Sequence, residues 1–573
     1  MRNSSLFLLI VSFCLTIQLK ADTKHYLVYL TDKTKNDYTL ERPWEFLSVE
    51  SIDRRNKFGI EIEDRDLPVS ENYVQQLKFI FGVKCLHSSK WLNAVHIALE
   101  DSTPLKAIKN QSFVLKIEYL GTYNSKKNKE IKSIPDLYFQ KSKDLQALKR
   151  KYKLSALGPD SFNNSQNQCM VIGIPLVHRS GYAGKGVHIA VFDAGFLNAY
   201  QTPGMEDLIE KSTYVRDFVD EDNSVWEDDK HGANVLSFMK TFQPGKYIGT
   251  APFARYSLMR TEIADAELPL EELNWLLAAE SADSLGVDMI IGSLGYHTFD
   301  ESELNHSHAD LNGVTSIAAK AANIAHSKGI AVICSAGNEG NKKWRKIGTP
   351  ADAIGSLAIG SCDLSGVHSN FSSVGLSADG RIKPNFTVPG FAVTVASPNG
   401  FYKGNGTSYS APMFAGALAC LMEFRPSYHP DSLLNYVLFS STHQNYPDSL
   451  YGYGIPNFGL ALYRMGAWIN QVHGDYFWNE TESKVFFQDI NLFLLSYSNQ
   501  KVKIEIQGLR KKKYKSFHKE NYSIKAGQWL HNDFLFNYLN DKMSNKKSLK
   551  YKKIKVIIQT ESKTFVKVFD FNT

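Results

Sequence analysis

Gly406-Thr-Ser-Tyr-Ser-Ala-Pro412, running into the apolar stretch Met413 to Met422, reads as a small-residue turn that opens a helix. Glycine ahead of the serine permits backbone angles that a side chain resists, and Pro412 fits a first helical turn, where no amide hydrogen is required. The turn would lift one hydroxyl, that of Ser408, toward solvent. A serine at a helix start is usually only a cap. Segments farther up the chain give this one another meaning.

A hydroxyl is a poor nucleophile at neutral pH, so a reactive serine needs a base within hydrogen-bonding reach and a third group that orients the base. Val187 to Phe192 has the apolar character of a buried strand, and Asp193-Ala-Gly follows where that strand would end. In Asp229-Lys-His231-Gly-Ala-Asn-Val-Leu-Ser, the histidine stands at the start of a helix whose Val235, Leu236 and Met239 share one apolar face. Ser335-Ala-Gly-Asn338-Glu-Gly follows the apolar strand Ile330 to Cys334. The side-chain amide of Asn338 could donate to the negative oxygen that forms when serine attacks a carbonyl.

With these four segments in the order Asp, His, Asn, Ser, the chain resembles a subtilisin-like serine protease, a subtilase, from about Gln166 to Tyr463. Gly181-Tyr-Ala-Gly-Lys-Gly before the first strand and Ser293-Leu-Gly-Tyr, similar to the family's substrate-binding wall, extend the match. The resemblance implies Asp193, His231 and Ser408 as a triad, Asn338 as oxyanion donor, and a first specificity pocket walled by Ser293, Leu294, Gly295, Ser335, Gly337 and Gly348. No cofactor is expected in the chemistry. Two positions depart from the family pattern: Ala233 stands where threonine is usual, and Asn385 replaces an aspartate. An α/β-hydrolase reading fails because its nucleophile sits in Gly-x-Ser-x-Gly, whereas Ser410 occupies the final place here. A sedolisin would carry glutamate and aspartate where His231 and Asn338 stand. From a different class, the alternative is a catalytically silent binding or envelope protein that keeps the fold.

The chain of 573 residues is too long for one domain and divides by composition. Residues 1–21, with Arg2 before the apolar stretch Leu6 to Leu15, read as a secretory signal peptide, which implies a secreted, extracellular or cell-surface enzyme. Residues 22–120 alternate short apolar strands with helix-like segments around Arg42 to Phe58 and Ser70 to Gly82, as a small α+β unit; by position it resembles a subtilase propeptide, an intramolecular chaperone and inhibitor. Residues 121–165, rich in Lys, Asn and Ser with little apolar periodicity, read as an exposed linker containing the autocleavage point. Residues 166–468 alternate helix and strand, which predicts a parallel α/β sheet covered on both faces. Residues 469–573 read as a β-rich module carrying 19 Lys and Arg against 10 Asp and Glu, so the basicity of the whole chain, net +6, is local to this end. That charge suits anionic cell-surface polymers; nucleic acid is not expected, since no recognition motif accompanies it.

Six cysteines without a CxxC spacing argue for buried thiols and against zinc. Asp217, Asp220, Glu221, Asp222, Glu227, Asp228 and Asp229 crowd the stretch before His231. A structural calcium ion there is conceivable by family resemblance, with a solvated acidic loop the favoured reading.

Overall fold

The computed structural model describes residues 22–465 apart from 125–132, 158–160 and 223, together with strand segments between 470 and 570. Residues 1–21, read as a signal peptide, lie outside the described residues.

The N-terminal unit runs β1 (Lys24–Leu30), α1 (Val49–Phe58), α2 (Glu71–Lys78), β2 (Lys84–Ser89), β3 (Ala94–Leu99), α3 (Leu105–Lys109) and β4 (Val114–Thr122), its strands forming an antiparallel sheet in the order β2-β3-β1-β4. Alternation along β1 explains why nearly every residue in it is buried. Tyr26, Val28 and Leu30 face Val74, Leu77 and Ile108 in the unit's own core, whereas Leu27 and Tyr29 join a second core that contains Leu273 and Leu277 of the following domain. One sheet face is thus closed by its own helices and the other by its neighbour.

The stretch expected to be an exposed linker contains α4 (Asp136–Lys151). Its inner side is Tyr138, Ser142, Leu145 and Lys149, and the Lys149 ammonium bonds Asp207 Oδ2 at 3.0 Å. Tyr138 and Leu145 alternate there with polar residues while Leu137, Phe139 and Leu148 face outward, so no clean apolar period marks the helix.

The large domain continues with α5 (Gln166–Val171), α6 (Ile174–Arg179), β5 (His188–Asp193), α7 (Leu208–Lys211), β6 (Ser212–Asp217), α8 (His231–Lys240), the short hairpin β7 (Phe242–Gln243) and β8 (Tyr247–Ile248), β9 (Arg255–Arg260) and α9 (Pro269–Ser284). There follow β10 (Met289–Gly292), α10 (Ile317–Ser327), β11 (Ala331–Ser335), β12 (Ser356–Cys362), β13 (Phe386–Pro389), the hairpin β14 (Val393–Ser397) and β15 (Gly400–Gly404), α11 (Thr407–Phe424), α12 (Pro430–Leu438) and α13 (Phe458–Arg464). Seven strands form one parallel sheet in the order β13-β12-β11-β10-β5-β9-β6. Both faces are covered, by α8 and α11 on one side and α9 and α10 on the other, so the strands read as continuous apolar runs. The chain starts in the middle at β5, works out to β6, and returns to the other side of β5 through β10. Strand order reverses between β5 and β10, and clefts in such sheets open at the carboxyl ends of the strands beside that reversal. Asp193 ends β5, and Ser293 follows the last residue of β10.

Beyond the large domain, Asn470–Asn479, Lys484–Leu495, Gln500–Arg510, Lys513–Ile524, Lys553–Gln559 and Thr564–Asp570 are strands in two antiparallel groups, in keeping with a β-rich end. The lysines at 546, 547, 550 and 552 lie outside the described residues.

Candidate active site

Asp193 is fully buried where β5 ends, and His231 opens α8. Their approach depends on glycine: a Cβ at Gly232 would lie 2.8 Å from Asp193 Cβ, and one at Gly195 would meet the Asp229 amide nitrogen at 2.6 Å. The carboxylate oxygen Oδ1 of Asp193 stands 2.8 Å from His231 Nδ1 and also accepts the Ala194 amide at 2.8 Å. Burial alone would lower the His231 pKa, but the charge and hydrogen bond of Asp193, with the Asp229 charge behind them, outweigh it and hold the imidazole above its ordinary value. The Asp229 carboxylate accepts the His231 amide at 2.6 Å, fixing the turn that leads into the helix. Ala233, where the family uses threonine, is buried in the first turn of the helix.

Ser408 lies in the first turn of α11. The sequence expectation for Pro412 needs correction here: the helix starts at Thr407, so Pro412 stands inside it and cannot supply the amide hydrogen that Ser408 O would normally accept from four residues on. Ser293 Oγ donates to that carbonyl instead, at 3.0 Å. Among the described residues no hydrogen bond joins Ser408 Oγ to the His231 ring. Ser410 points elsewhere, its buried hydroxyl donating to Val388 O and Pro389 O at 3.1 and 3.2 Å.

Asn338 follows β11 by three residues. Its Oδ1 accepts both the amide and the hydroxyl of Thr407, each at 3.0 Å, while that hydroxyl accepts the Gly337 amide at 3.2 Å. With Oδ1 engaged, the amide's Nδ2 is its free donor end. A Cβ built on Gly406 would sit 2.8 Å from Ser408 Oγ and 4.0 Å from Asn338 Nδ2, so both atoms border the same small space.

The expected pocket walls converge at this end of the sheet. Ser293 directly follows β10 and Ser335 ends the neighbouring parallel β11, and Tyr296 and Thr349 exchange backbone hydrogen bonds at 2.8 and 3.1 Å, drawing Leu294 and Gly295 toward Gly348. Gly337, at φ +103°, has no room for a Cβ, which would meet Ser373 Oγ at 2.8 Å. Asn385 replaces the family aspartate without loss of a partner: its Oδ1 accepts the Ala358 amide at 2.8 Å.

Three contributors escaped the sequence reading. Thr407 fixes the Asn338 amide. Glu262, after β9, accepts from Tyr296 and Thr261 hydroxyls at 2.6 and 2.9 Å, and burial pushes its carboxyl up to about 8 against those bonds. Arg260 draws Asp217, Asp220 and Asp228 onto its Nη1 at 2.9, 2.7 and 3.2 Å. The last arrangement bears on calcium. That ion asks for six to eight oxygens around an open centre, whereas these carboxylates close on a guanidinium. Among the described residues no group of three or more His, Cys, Asp or Glu side chains is placed to hold a metal. Asp217, Asp220 and Asp228, committed to the guanidinium, do not fit the ion. Among the same residues five cysteines are free thiols, and no helix is long and apolar enough to cross a membrane.

Comparison with known proteins agrees with this architecture. Residues 184–454 match the model of the subtilase family, and residues 25–134 match that of the peptidase S8 propeptide domain of Bacteroidota. Subtilisin NAT from Bacillus subtilis subsp. natto is 27% identical over 296 residues, covering 50% of this chain and 70% of that protein. Subtilisin DY from Bacillus licheniformis is 27% identical over 303 residues, covering 51% of this chain and 99% of the relative. Among solved structures, MycP1 with its N-terminal propeptide removed aligns at a TM-score of 0.42 and 22% identity, over 52% of this chain and 96% of its own. With the sheet, the site and both matches in view, the chain carries a subtilase family domain over residues 184–454, that of a serine-type peptidase, with an S8 propeptide domain ahead of it.

Proposed function

We propose that the protein is a secreted endopeptidase made as a self-processed zymogen, cleaving peptide bonds through Asp193, His231 and Ser408. Ser408 Oγ attacks the substrate carbonyl while His231 Nε2 takes its proton and later returns it to the leaving amine. Asp193 holds the imidazole by Nδ1 and stabilises the charge it acquires. Asn338 Nδ2 and the Ser408 amide receive the negative oxygen. Catalytic hydrogen bonds often tighten only when substrate is bound, and the Ser408 to His231 bond forms at that stage. The observation that carries this reading is the 2.8 Å contact of His231 Nδ1 with a fully buried carboxylate, which leaves Nε2 for the serine.

Peptide or protein chains are the substrates, held along Ser293 to Gly295 and Ser335 to Gly337. The small residues of these walls leave the first pocket open. Secretion rests on residues 1–21, and the basic end beyond 469 would hold the enzyme to anionic polymers at the cell surface. The N-terminal unit, lying on α9 and α10, is the enzyme's own inhibitor until it is cut away.

A fluorophosphonate tests the core of the proposal, because only an activated serine reacts with it. Stoichiometric labelling of Ser408, lost in Ser408→Ala and kept in Ser410→Ala, is expected. A processed, folded enzyme that takes no label would instead be a silent member of the fold.

A further inference from the structure

We infer that Arg260 is a positioning residue for His231, its guanidinium serving as the fixed cation that closes the acidic loop in front of the histidine in place of a metal ion. The inference rests on the reading of His231 as the base.

The loop runs from the end of β6 to the start of α8, and Arg260 grips it near both ends. Asp217 is the last residue of β6 and Asp228 stands three residues before His231; with Asp220 they share one nitrogen, Nη1, at 2.9, 3.2 and 2.7 Å. All four side chains are no more than 4% exposed, so the contacts are screened little by solvent or salt. The first turn of the loop is set by the same carboxylates, since Asp217 Oδ1 also accepts the amides of Val219 and Asp220 at 2.7 and 3.1 Å.

The backbone of Arg260 is itself tied to the triad. It pairs with Asp193 in the register of β5 and β9, the next amide, that of Thr261, donates to Asp193 O at 2.9 Å, and Arg260 O accepts the Phe218 amide at 2.9 Å. On the far side, the loop's closing residues are laced to the chain just after Asp193: Phe196 donates to Val225 O at 2.7 Å and Leu197 to Asp229 O at 3.0 Å. Both triad members that flank the loop are therefore referred to one buried cation. Three carboxylates brought together without it would repel, and the segment that delivers His231 would open. A guanidinium belongs to the chain and cannot be chelated, which separates this device from a bound divalent ion.

The test uses processed enzyme whose active sites are counted by fluorophosphonate titration, so that misfolded material drops out of kcat. Arg260→Met should lower kcat about 10-fold or more with KM nearly unchanged, since displaced catalytic groups cost rate rather than binding. Arg260→Lys, which keeps the charge, should recover most of the loss. The wild-type enzyme should keep its kcat after exhaustive chelation. If Arg260→Met does not fold, Asp228→Asn, which releases the contact nearest His231, should show the same loss of kcat at constant KM. Wild-type kcat per titrated site in Arg260→Met or Asp228→Asn would overturn the inference, as would a chelation loss that calcium restores. Failure of the wild-type enzyme to take the label would count against the triad reading and not against the clamp.

Discussion

The hydroxyl of Ser293 donates to the carbonyl of Ser408 at 3.0 Å, filling the place of the amide hydrogen that Pro412 does not have. A residue read as pocket wall thereby also holds the turn bearing Ser408. Ser293→Ala would leave a buried carbonyl unpaired, at a cost of about 1–3 kcal/mol. Thermal unfolding of the sulfonylated enzyme, blocked against self-digestion, should register that loss, and kcat should fall with it. An unchanged midpoint together with an unchanged kcat would mean that the carbonyl finds another donor.

The amide of Asn338 is oriented by Thr407, whose amide and hydroxyl both donate to Oδ1. Asn338→Ala should lower kcat by about 10² to 10³ with little change in KM; that magnitude is carried over from the corresponding loss in subtilisin itself. Thr407→Val removes one of the two orienting bonds and should give a smaller fall of the same kind, while Thr407→Ser retains activity. A rise in KM alone in Thr407→Val would assign that residue to substrate binding.

In the proposed role of base His231 must be neutral, and its pKa is held above the ordinary 6.5 because Asp193, helped by Asp229, outweighs the effect of burial. The acid limb of the kcat/KM profile should therefore have its midpoint above 6.5. Asp229→Asn removes one of the charges that favour imidazolium without touching either ring nitrogen, so the midpoint should move down. A midpoint moving up would contradict the sign of that interaction.

The placement of the candidate site was legible because its residues stand next to strand and helix ends: an aspartate after Val187 to Phe192, a histidine before an apolar helix face, a serine after glycine. The parallel sheet followed from the alternation of helical and apolar strand segments. What escaped were residues whose partners are distant in the chain. Thr407 acquires its role from Asn338, 69 positions earlier, and Arg260 from carboxylates that looked like a solvated charge run. Helix α4 was missed for another reason, since its inner face mixes polar and apolar side chains. Arg260 and Glu262 did leave a trace, in that charged side chains at and just past the end of an apolar strand need a buried partner or an exposed end.

The propeptide sits on the catalytic domain through buried charge as well as apolar area. Arg55 reaches Asp283 Oδ2 at 2.9 Å and Asp66 Oδ1 at 2.9 Å, Arg54 bonds Asp283 Oδ1 at 2.5 Å, and Lys328 answers from the catalytic side with Asp66 Oδ2 at 3.0 Å. Glu280 meanwhile accepts the amides of Lys90 and Trp91 at 3.0 Å each. Segment 22–124, supplied in trans, should inhibit processed enzyme. Asp283→Asn would leave two buried guanidinium groups facing one fewer charge, a loss of about 3–5 kcal/mol for a broken buried pair. Inhibition should then weaken by about 10² to 10³-fold or more, and because the pairs are shielded from solvent, moderate salt should change the wild-type inhibition constant little. Titrating the segment against each enzyme with a small peptide substrate measures both effects, with the uninhibited rate as control for catalysis. Equal inhibition constants for the wild type and Asp283→Asn would show that apolar burial along β1 and α9 carries the complex and that the ion network only fixes its register.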